Sequence, residues 1–266
     1  MSQYQGREWH LDCPLTGEDI DQLNVGDLVY LSGPVFTARD GVYKHMLVEG
    51  HAPPIDLLAL TNVTFQSAPA GVEVSPGKYH VSSLQATAGF RYAQYMPQLL
   101  EEFGVKVVVG KAGMSEEVYR DVFQKHGAVC LTTMGYGLGA IYGSAIKDVL
   151  GVYWVEELGI SEALWILELE RLGPLLVEGD VRGNSFFAGA NEEINRNLGS
   201  LYEGLKPPVY GRLGEEHKPE RSEEHTSELQ SQAYPVGRLL LEKKNSRPTT
   251  PHRPTTPPPP HNAPLT

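Results

Sequence analysis

Arg39, Arg91 and Lys111 are cations set where a cation is hard to explain, and Thr87 stands one helical turn from one of them. Arg39 lies in "TARDGVYKHM" (residues 37–46), which reads as the start of a helix. There Thr37 and Asp40 have the spacing of a capping box, a Thr oxygen at the cap and an acid three residues on. An arginine in that first turn faces the positive end of the helix macrodipole, which disfavours it locally. Arg91 follows Thr87, the expected N-cap of a long helix, by four residues, so the two side chains share a face. Lys111 falls in the turn between an apolar strand and a helix that Ser115 caps. In α/β folds, ligands bind at the carboxyl ends of the strands. Helix N–H groups, two guanidinium forks and an ammonium collected there would suit a small dianion, the forks matching carboxylates. Each residue also has a plainer reading. Arg39 reaches solvent or pairs with Asp40, Arg91 pairs with a surface acid such as Glu101, and Lys111 is simply exposed. Thr87 is an N-cap in the plain reading; beside cations that lower its pKa, its hydroxyl could handle a proton.

The elements that must position these residues alternate along the chain. "DLVYLSG" (27–33) has a strand pattern, "NVTFQSAPAG" (62–71) a strand and a Pro/Gly turn, and "KYHVSSLQ" (78–85) another strand. Residues 87–104 form a helix that Gly104 stops and Pro97 kinks or splits. "VKVVVG" (105–110) is the continuous apolar run of a strand buried on both faces. A helix over 115–126 carries acids at its start and Lys125 and His126 before Gly127. "AVCLTTM" (128–134) is a strand, residues 135–151 a glycine-rich lead into a helix, and "VYWVEE" (152–157) a strand. Residues 161–187 suit strands joined by a tight "DVRGN" turn, and 190–205 a closing helix. The class is α/β with a mixed sheet.

Bulk properties narrow the function. The 266 residues are 41% hydrophobic, enough for a sizeable core. No apolar run reaches membrane-span length and "MSQYQGREWH" is no signal peptide, so a cytoplasmic protein without a membrane partner is expected. Cys13 and Cys130 are too few for a disulfide framework or a cysteine metal site. The net charge of −11 disfavours nucleic acid. "RSEEHTSELQS" (221–231) and "RLLLEKK" (238–244) read like the two ends of a translated sequencing adapter, and a Pro/Thr-rich stretch follows. The expected organisation is a catalytic domain over 1–206, an extension over 207–220 and a disordered tail over 221–266. Without the tail, 16 basic residues face 29 acidic ones, so the placement of each cation carries information.

Other motifs carry less. "GYGLGA" (135–140) fits the dinucleotide fingerprint, with Glu156 at about the expected ~20 residues, which makes an NAD-dependent oxidoreductase the rival enzyme. The nine histidines show no H-E-x-x-H or similar ligand spacing, and His10, His51, His80 and His126 read as scattered surface or packing residues. No metal site of its own is expected. No G-x-S-x-G elbow is present.

Several segments together resemble the β subunit of iron–sulfur hydro-lyases, namely L(+)-tartrate dehydratase and two-subunit class I fumarases, and the carboxyl-terminal domain of single-chain class I fumarases. "SGPVFTARD" looks like the family's S-G-x-x-x-x-A-R-D, "GVKVVVGKAGM" is close to the tartrate dehydratase version of its segment, and "ALWILELERLGPLLVEGDVRGNSFF" resembles the family's ending. The resemblance implies a swivelling β/β/α-type domain with a mixed central sheet flanked by helices. It implies Thr87 as catalytic base and Arg39, Arg91 and Lys111 as ligands of the substrate carboxylates. It also implies a [4Fe–4S] cluster held by three cysteines of a partner α subunit and none bound by this chain. The open iron of that cluster acts as a Lewis acid on the substrate hydroxyl. The implied reaction is reversible dehydration of a C4 dicarboxylate, malate to fumarate or L(+)-tartrate to oxaloacetate, by an α2β2-type heteromer whose β chain alone is inactive. One segment departs. The family carries G-P-T-T-S-x-R where this chain has "QATAGFR" (85–91), keeping Thr87 and Arg91 at the right separation, with an upstream Gly-Pro appearing as Ala68-Pro69. A diverged subunit that binds dicarboxylates without chemistry is the non-enzymatic alternative.

Overall fold

The computed structural model describes residues 6–135 and 138–201; the expected extension and tail lie outside them. In chain order the elements are β1 (Glu8–Asp12), α1 (Gly17–Asp21), β2 (Leu28–Thr37), α2 (Asp40–Tyr43), a π-helical turn (Lys44–Val48), α3 (Leu57–Leu60), β3 (Val63–Phe65), β4 (Ser67–Ser75) and β5 (Lys78–Ala86). A 3₁₀ stretch (Gly89–Tyr95), α4 (Met96–Glu102), β6 (Val107–Gly110), α5 (Glu116–Val118), a second π turn (Tyr119–Phe123) and α6 (Gln124–His126) follow. The remainder is β7 (Val129–Thr133), α7 (Gly139–Gly143), β8 (Ile146–Tyr153), α8 (Val155–Leu158), β9 (Leu164–Gly179) and α9 (Phe186–Leu201).

The main sheet has seven strands in the order β1-β2-β3-β6-β7-β9-β8. β1, β2, β3, β6 and β7 run parallel to one another, while β9 is antiparallel to β2, β7 and β8. Because β9 pairs with both β2 and β7, the sheet closes on itself through β2-β3-β6-β7-β9, and β1 and β8 extend from that ring. The class is α/β with a mixed sheet, as expected, but partly barrel-like rather than open. β4 and β5 form a separate two-stranded hairpin.

Strand alternation divides the apolar residues between two cores. Val107, Val109, Val129, Leu131, Trp165 and Leu167 pack in one, and Val108, Cys130, Leu164 and Ile166 in the other, where they meet Tyr43, Tyr92, Met96, Leu99 and Phe123 from the helical segments. This is why residues 105–110 and 164–169 read as unbroken apolar runs: both faces are covered.

Several boundaries differ from expectation. The capping box is not at Thr37 and Asp40. Thr37 closes β2, buried, with its Oγ1 accepting from the Trp165 amide at 3.3 Å. A capping box is formed instead by Thr16 and Asp19. "SAPAG" is the start of β4 rather than a turn, because it pairs with β5. The helix expected after Gly135 is only the short α7, and residues 146–153 are a strand on the outer edge of β9; "WVEE" belongs to α8 and its approach. Residues 164–179 make one long strand instead of two, with the "DVRGN" turn after it. Pro97 splits its segment as expected, sitting in the first turn of α4 after the 3₁₀ stretch. Gly104 and Gly127 end their helices with φ of 55° and 57°.

Asp27 fastens β1 to this frame. Its buried carboxylate accepts from the Arg7 amide at 2.9 Å, the Trp9 indole at 3.0 Å and the Asn24 amide at 3.1 Å, with the Arg7 guanidinium at 3.4 Å. Burial pushes its pKa up, but these donors and the Arg7 charge prevail and hold it below the ordinary carboxylate range. A depressed folded pKa gives stability that is present above the unfolded value of about 3.9 and lost as pH falls through the folded one. Asp27→Ala is expected to cost about 2–4 kcal/mol near pH 7, from several charge-assisted hydrogen bonds. The gap from the parent should close as the pH drops below about 4, measured by urea unfolding across pH.

Candidate active site

β2, β3 and β6 are parallel neighbours, so their carboxyl ends share one edge, and main-chain bonds sew the loops leaving them together. The Ala38 amide donates to the Phe65 carbonyl at 3.1 Å and the Gln66 amide to Val109 at 2.8 Å. The Thr87 amide donates to Gln66 at 2.7 Å, the Lys111 amide to the Thr87 carbonyl at 3.2 Å, and the Gly89 amide to Ala112 at 2.9 Å. Three stretches far apart in sequence, 38–40, 87–91 and 111–113, thereby become one surface. Thr87 is the crossing point. It is not the expected N-cap, since Ala88 precedes the 3₁₀ stretch, so the side chain of this partly exposed residue is not spent on a cap.

The side chains converge on Tyr92 and Asp40. Arg91 Nη2 donates to Asp40 Oδ2 at 2.6 Å, and the buried Tyr92 hydroxyl donates to the same oxygen at 3.3 Å. The Arg91 guanidinium lies 5.7 Å from the centre of the Tyr92 ring. Burial pushes the Tyr92 phenol up, opposed by Arg39 and Thr87, whose side chains both bear on its hydroxyl. Arg39, Asp40, Thr87, Arg91 and Tyr92 are therefore one cluster, and Lys111 joins it through its backbone. The acid beside Arg91 is Asp40, not Glu101.

Arg39 is the N-cap of α2, and its cation is tolerated there because an anion comes to meet it. Glu162, from the loop before β9, places Oε1 2.8 Å from Arg39 Nη1 while Oε2 accepts from the Gly41 amide at 3.0 Å. One carboxylate thus satisfies the start of the helix and fixes the guanidinium. Glu162→Ala should leave the Gly41 amide unpartnered, strip Arg39 of its counter-charge and cost about 1–3 kcal/mol in urea unfolding, with Glu162→Gln losing less because it still accepts from Gly41.

Glu178 steadies the third loop. From the end of β9 its Oε1 accepts from the Tyr119 hydroxyl at 2.6 Å and the Gly113 amide at 3.2 Å. That bond pins the left-handed pair Ala112 and Gly113 (φ 58° and 103°) that turns the chain just after Lys111. Burial raises the Glu178 pKa against these two donors. Among the described residues, the buried side-chain polar atoms without a hydrogen-bond partner are Arg39 Nε, Gln66 Oε1 and Glu178 Oε2. All three belong to residues that touch this cluster or its loops. Unsatisfied buried groups are costly and gather where a protein meets a ligand.

Sequence reasoning singled out the cations and Thr87 but missed Tyr92, Gln66, Glu162 and Glu178, and it gave Asp40 no role beyond the cap and a possible partner for Arg39. Asp40 adjoins Arg39 in the A-R-D motif, which was a usable signal. Glu162 and Glu178 meet their partners only through long-range folding, and no local pattern marks them.

Two other expectations can be placed. Tyr136 and Gly137 of the "GYGLGA" loop lie outside the described residues, but the chain beyond it runs to β8, which pairs antiparallel with β9 instead of lying parallel to β7. That is not the βαβ unit a dinucleotide fold requires, and Glu156 is exposed on α8. Cys13 and Cys130 are both buried, with burial pushing the Cys13 thiol up to about 12 and the Cys130 thiol upward as well. Cluster ligation needs an accessible thiolate, so neither fits an iron–sulfur site.

Residues 1–190 match the fumarase C-terminus family. The chain is 33% identical over 190 residues to a protein of Methanocaldococcus jannaschii provisionally named L(+)-tartrate dehydratase subunit beta, an alignment covering 70% of this chain and 95% of that one. It is 30% identical over 178 residues to the L(+)-tartrate dehydratase subunit beta of Escherichia coli K12, covering 67% and 86%. It is also 30% identical over 200 residues to a provisionally named class I fumarate hydratase of Geobacillus stearothermophilus, covering 75% of this chain and 37% of that longer one.

Proposed function

The chain belongs to the fumarase C-terminus family, and from that premise we propose that it is the β-type subunit of a hydro-lyase that reversibly dehydrates a C4 2-hydroxydicarboxylate, malate or L(+)-tartrate. The observation carrying this reading is the gathering of Arg39, Thr87 and Arg91 around Tyr92 at the carboxyl edge of β2, β3 and β6, with the Lys111 loop hydrogen-bonded to Thr87. A dicarboxylate has two anionic ends, and the guanidinium groups of Arg39 and Arg91, held by Glu162 and Asp40 respectively, supply two forks. The Arg39 side chain is 22% exposed, so its fork can reach a substrate carboxylate beside the Glu162 contact.

In this reading Arg39, Arg91 and Lys111 hold the carboxylates and orient the carbon chain over Thr87. The Thr87 Oγ, as alkoxide, takes the proton from C3, and the C3–H electron pair forms the C2=C3 bond. The C2–O bond breaks with its pair to release hydroxide, which takes a proton from solvent to become water while Thr87 returns its own to solvent. The surrounding cations favour the charged form of the threonine oxygen. An iron–sulfur cluster held by a partner α subunit would polarise the departing hydroxyl. Two relatives carry the name subunit beta, which supports a partner chain here too.

Co-expression with a cluster-bearing α subunit under anaerobic conditions should give dehydration of malate or L(+)-tartrate, and the chain alone should give none. Absence of turnover on both substrates beside a competent partner would overturn the reading. The "QATAGFR" departure favours one second reading, a dicarboxylate-binding subunit without chemistry. In the structure Ala68-Pro69 lies directly across the β4–β5 hairpin from Gln85 and Leu84, so the displaced Pro still adjoins this segment. That alternative predicts thermal stabilisation by dicarboxylate with no turnover. Tight NAD(H) binding by the isolated chain would instead revive the oxidoreductase.

A further inference from the structure

His45, Glu49 and His51 lie away from the cluster described above, at the far end of the helix that begins beside Arg39. We propose that they form a binding site for a borderline divalent transition cation such as Zn²⁺ or Co²⁺. The backbone builds the arrangement. In the π-helical turn the Glu49 amide donates to the Lys44 carbonyl at 2.9 Å; Gly50 then turns left-handed (φ 76°) and the His51 amide donates back to the His45 carbonyl at 3.0 Å. Glycine suits that position because a side chain there strains the backbone. The result folds His51 over His45, with ring centroids 3.9 Å apart and 19° between planes. Trp154 meets the His45 ring edge-on at 4.8 Å and 79°, leaving that side chain only 13% exposed and its orientation set.

The donor atoms face one another. His45 Nδ1 is 3.0 Å and His51 Nε2 is 3.8 Å from the same Glu49 Oε2, and all three ligand atoms lie within 4.8 Å. Donors each about 2.1 Å from a shared tetrahedral ion stand roughly 3.4 Å apart, a spacing the two Glu49 distances bracket. Two imidazole nitrogens and one carboxylate oxygen form a borderline set, better matched to Zn²⁺, Co²⁺ or Ni²⁺ than to the all-oxygen preference of Mg²⁺ or Ca²⁺. Lys44 Nζ, 3.6 Å from Glu49 Oε1, is the cation the ion must compete with. The sequence reading passed over these residues because His-x₃-Glu-x-His is no linear metal motif; only the π turn and Gly50 close it.

The test uses the full chain without an affinity tag, stripped with chelator and titrated with ZnCl₂ by calorimetry and with CoCl₂ by visible absorption. One saturable site per chain is expected. His51→Ala and Glu49→Gln, both at exposed side chains, should each weaken it at least about tenfold and abolish the Co²⁺ ligand-field bands. His80→Ala should leave both signals intact. His45→Ala adds a third check, read together with its thermal midpoint because that ring packs on Trp154. Unchanged binding in the His51 and Glu49 variants would assign the metal to histidines elsewhere, such as those at 217–261, and overturn the proposal. So would a parent chain with no saturable site below millimolar metal.

Discussion

Arg91→Ala is expected to lose about 10²-fold or more in kcat/KM in the reconstituted α/β enzyme, with little change in the stability of this chain. The two effects separate because of where Arg91 sits. Its side chain is 45% exposed and its visible partner is the equally accessible Asp40, and surface pairs of that kind contribute little to folding. Its value lies in the fork offered to a substrate carboxylate. Two charge-assisted hydrogen bonds at about 1.5–3 kcal/mol each correspond to two or more decades. Arg91→Lys should recover only part of the loss, because an ammonium keeps the charge and loses the two-point grip. Steady-state kinetics with malate and L(+)-tartrate, beside thermal melts of the subunit, make the comparison. Full activity in Arg91→Ala would remove this residue from the site and with it the main support for the proposed chemistry.

Thr87→Ala is the second large effect, expected at about 10²- to 10⁴-fold in kcat for loss of a positioned proton-transfer group. The fold argues that this variant stays intact. The bonds through which residue 87 ties the loops together run from its amide to Gln66 and from the Lys111 amide to its carbonyl, and both survive truncation of the side chain. KM should therefore move far less than kcat, since the carboxylate ligands remain. Thr87→Ser should restore most of the turnover by returning the hydroxyl. Proportional falls in kcat and in melting temperature would instead mean that residue 87 is structural. Turnover unaffected by Thr87→Ala would leave the carboxylate site standing and require another base.

What the sequence disclosed depended on how local the physics was. The buried strand at 107–110, the helix ends at Gly104 and Gly127 and the split at Pro97 follow from patterns within a few residues. The cations were legible because an acidic chain gives few reasons to set one at the start of a helix. The capping box at Thr37 was misread because the same Thr-x-x-Asp spacing serves a strand whose last side chain is called to Trp165, 128 residues away. Residues 146–153 were misread because strand or helix there is decided by the edge of β9 and not by local preference. Glu162 and Glu178 act across 121 and 65 residues, beyond the reach of any spacing rule.

β9 pairs with β2, β7 and β8 at once and lies near the end of the described chain. During synthesis, everything before residue 164 therefore leaves the ribosome with the flanks of β2 and β7 unsatisfied, and the same late segment brings in Glu178, with Glu162 only just ahead of it. The nascent polypeptide cannot assemble the brace behind Lys111 until β9, the last strand among the described residues, is delivered. Fragments ending before 164 should accumulate as sticky, ligand-blind material, and the binding edge should mature in the same step that seals the sheet.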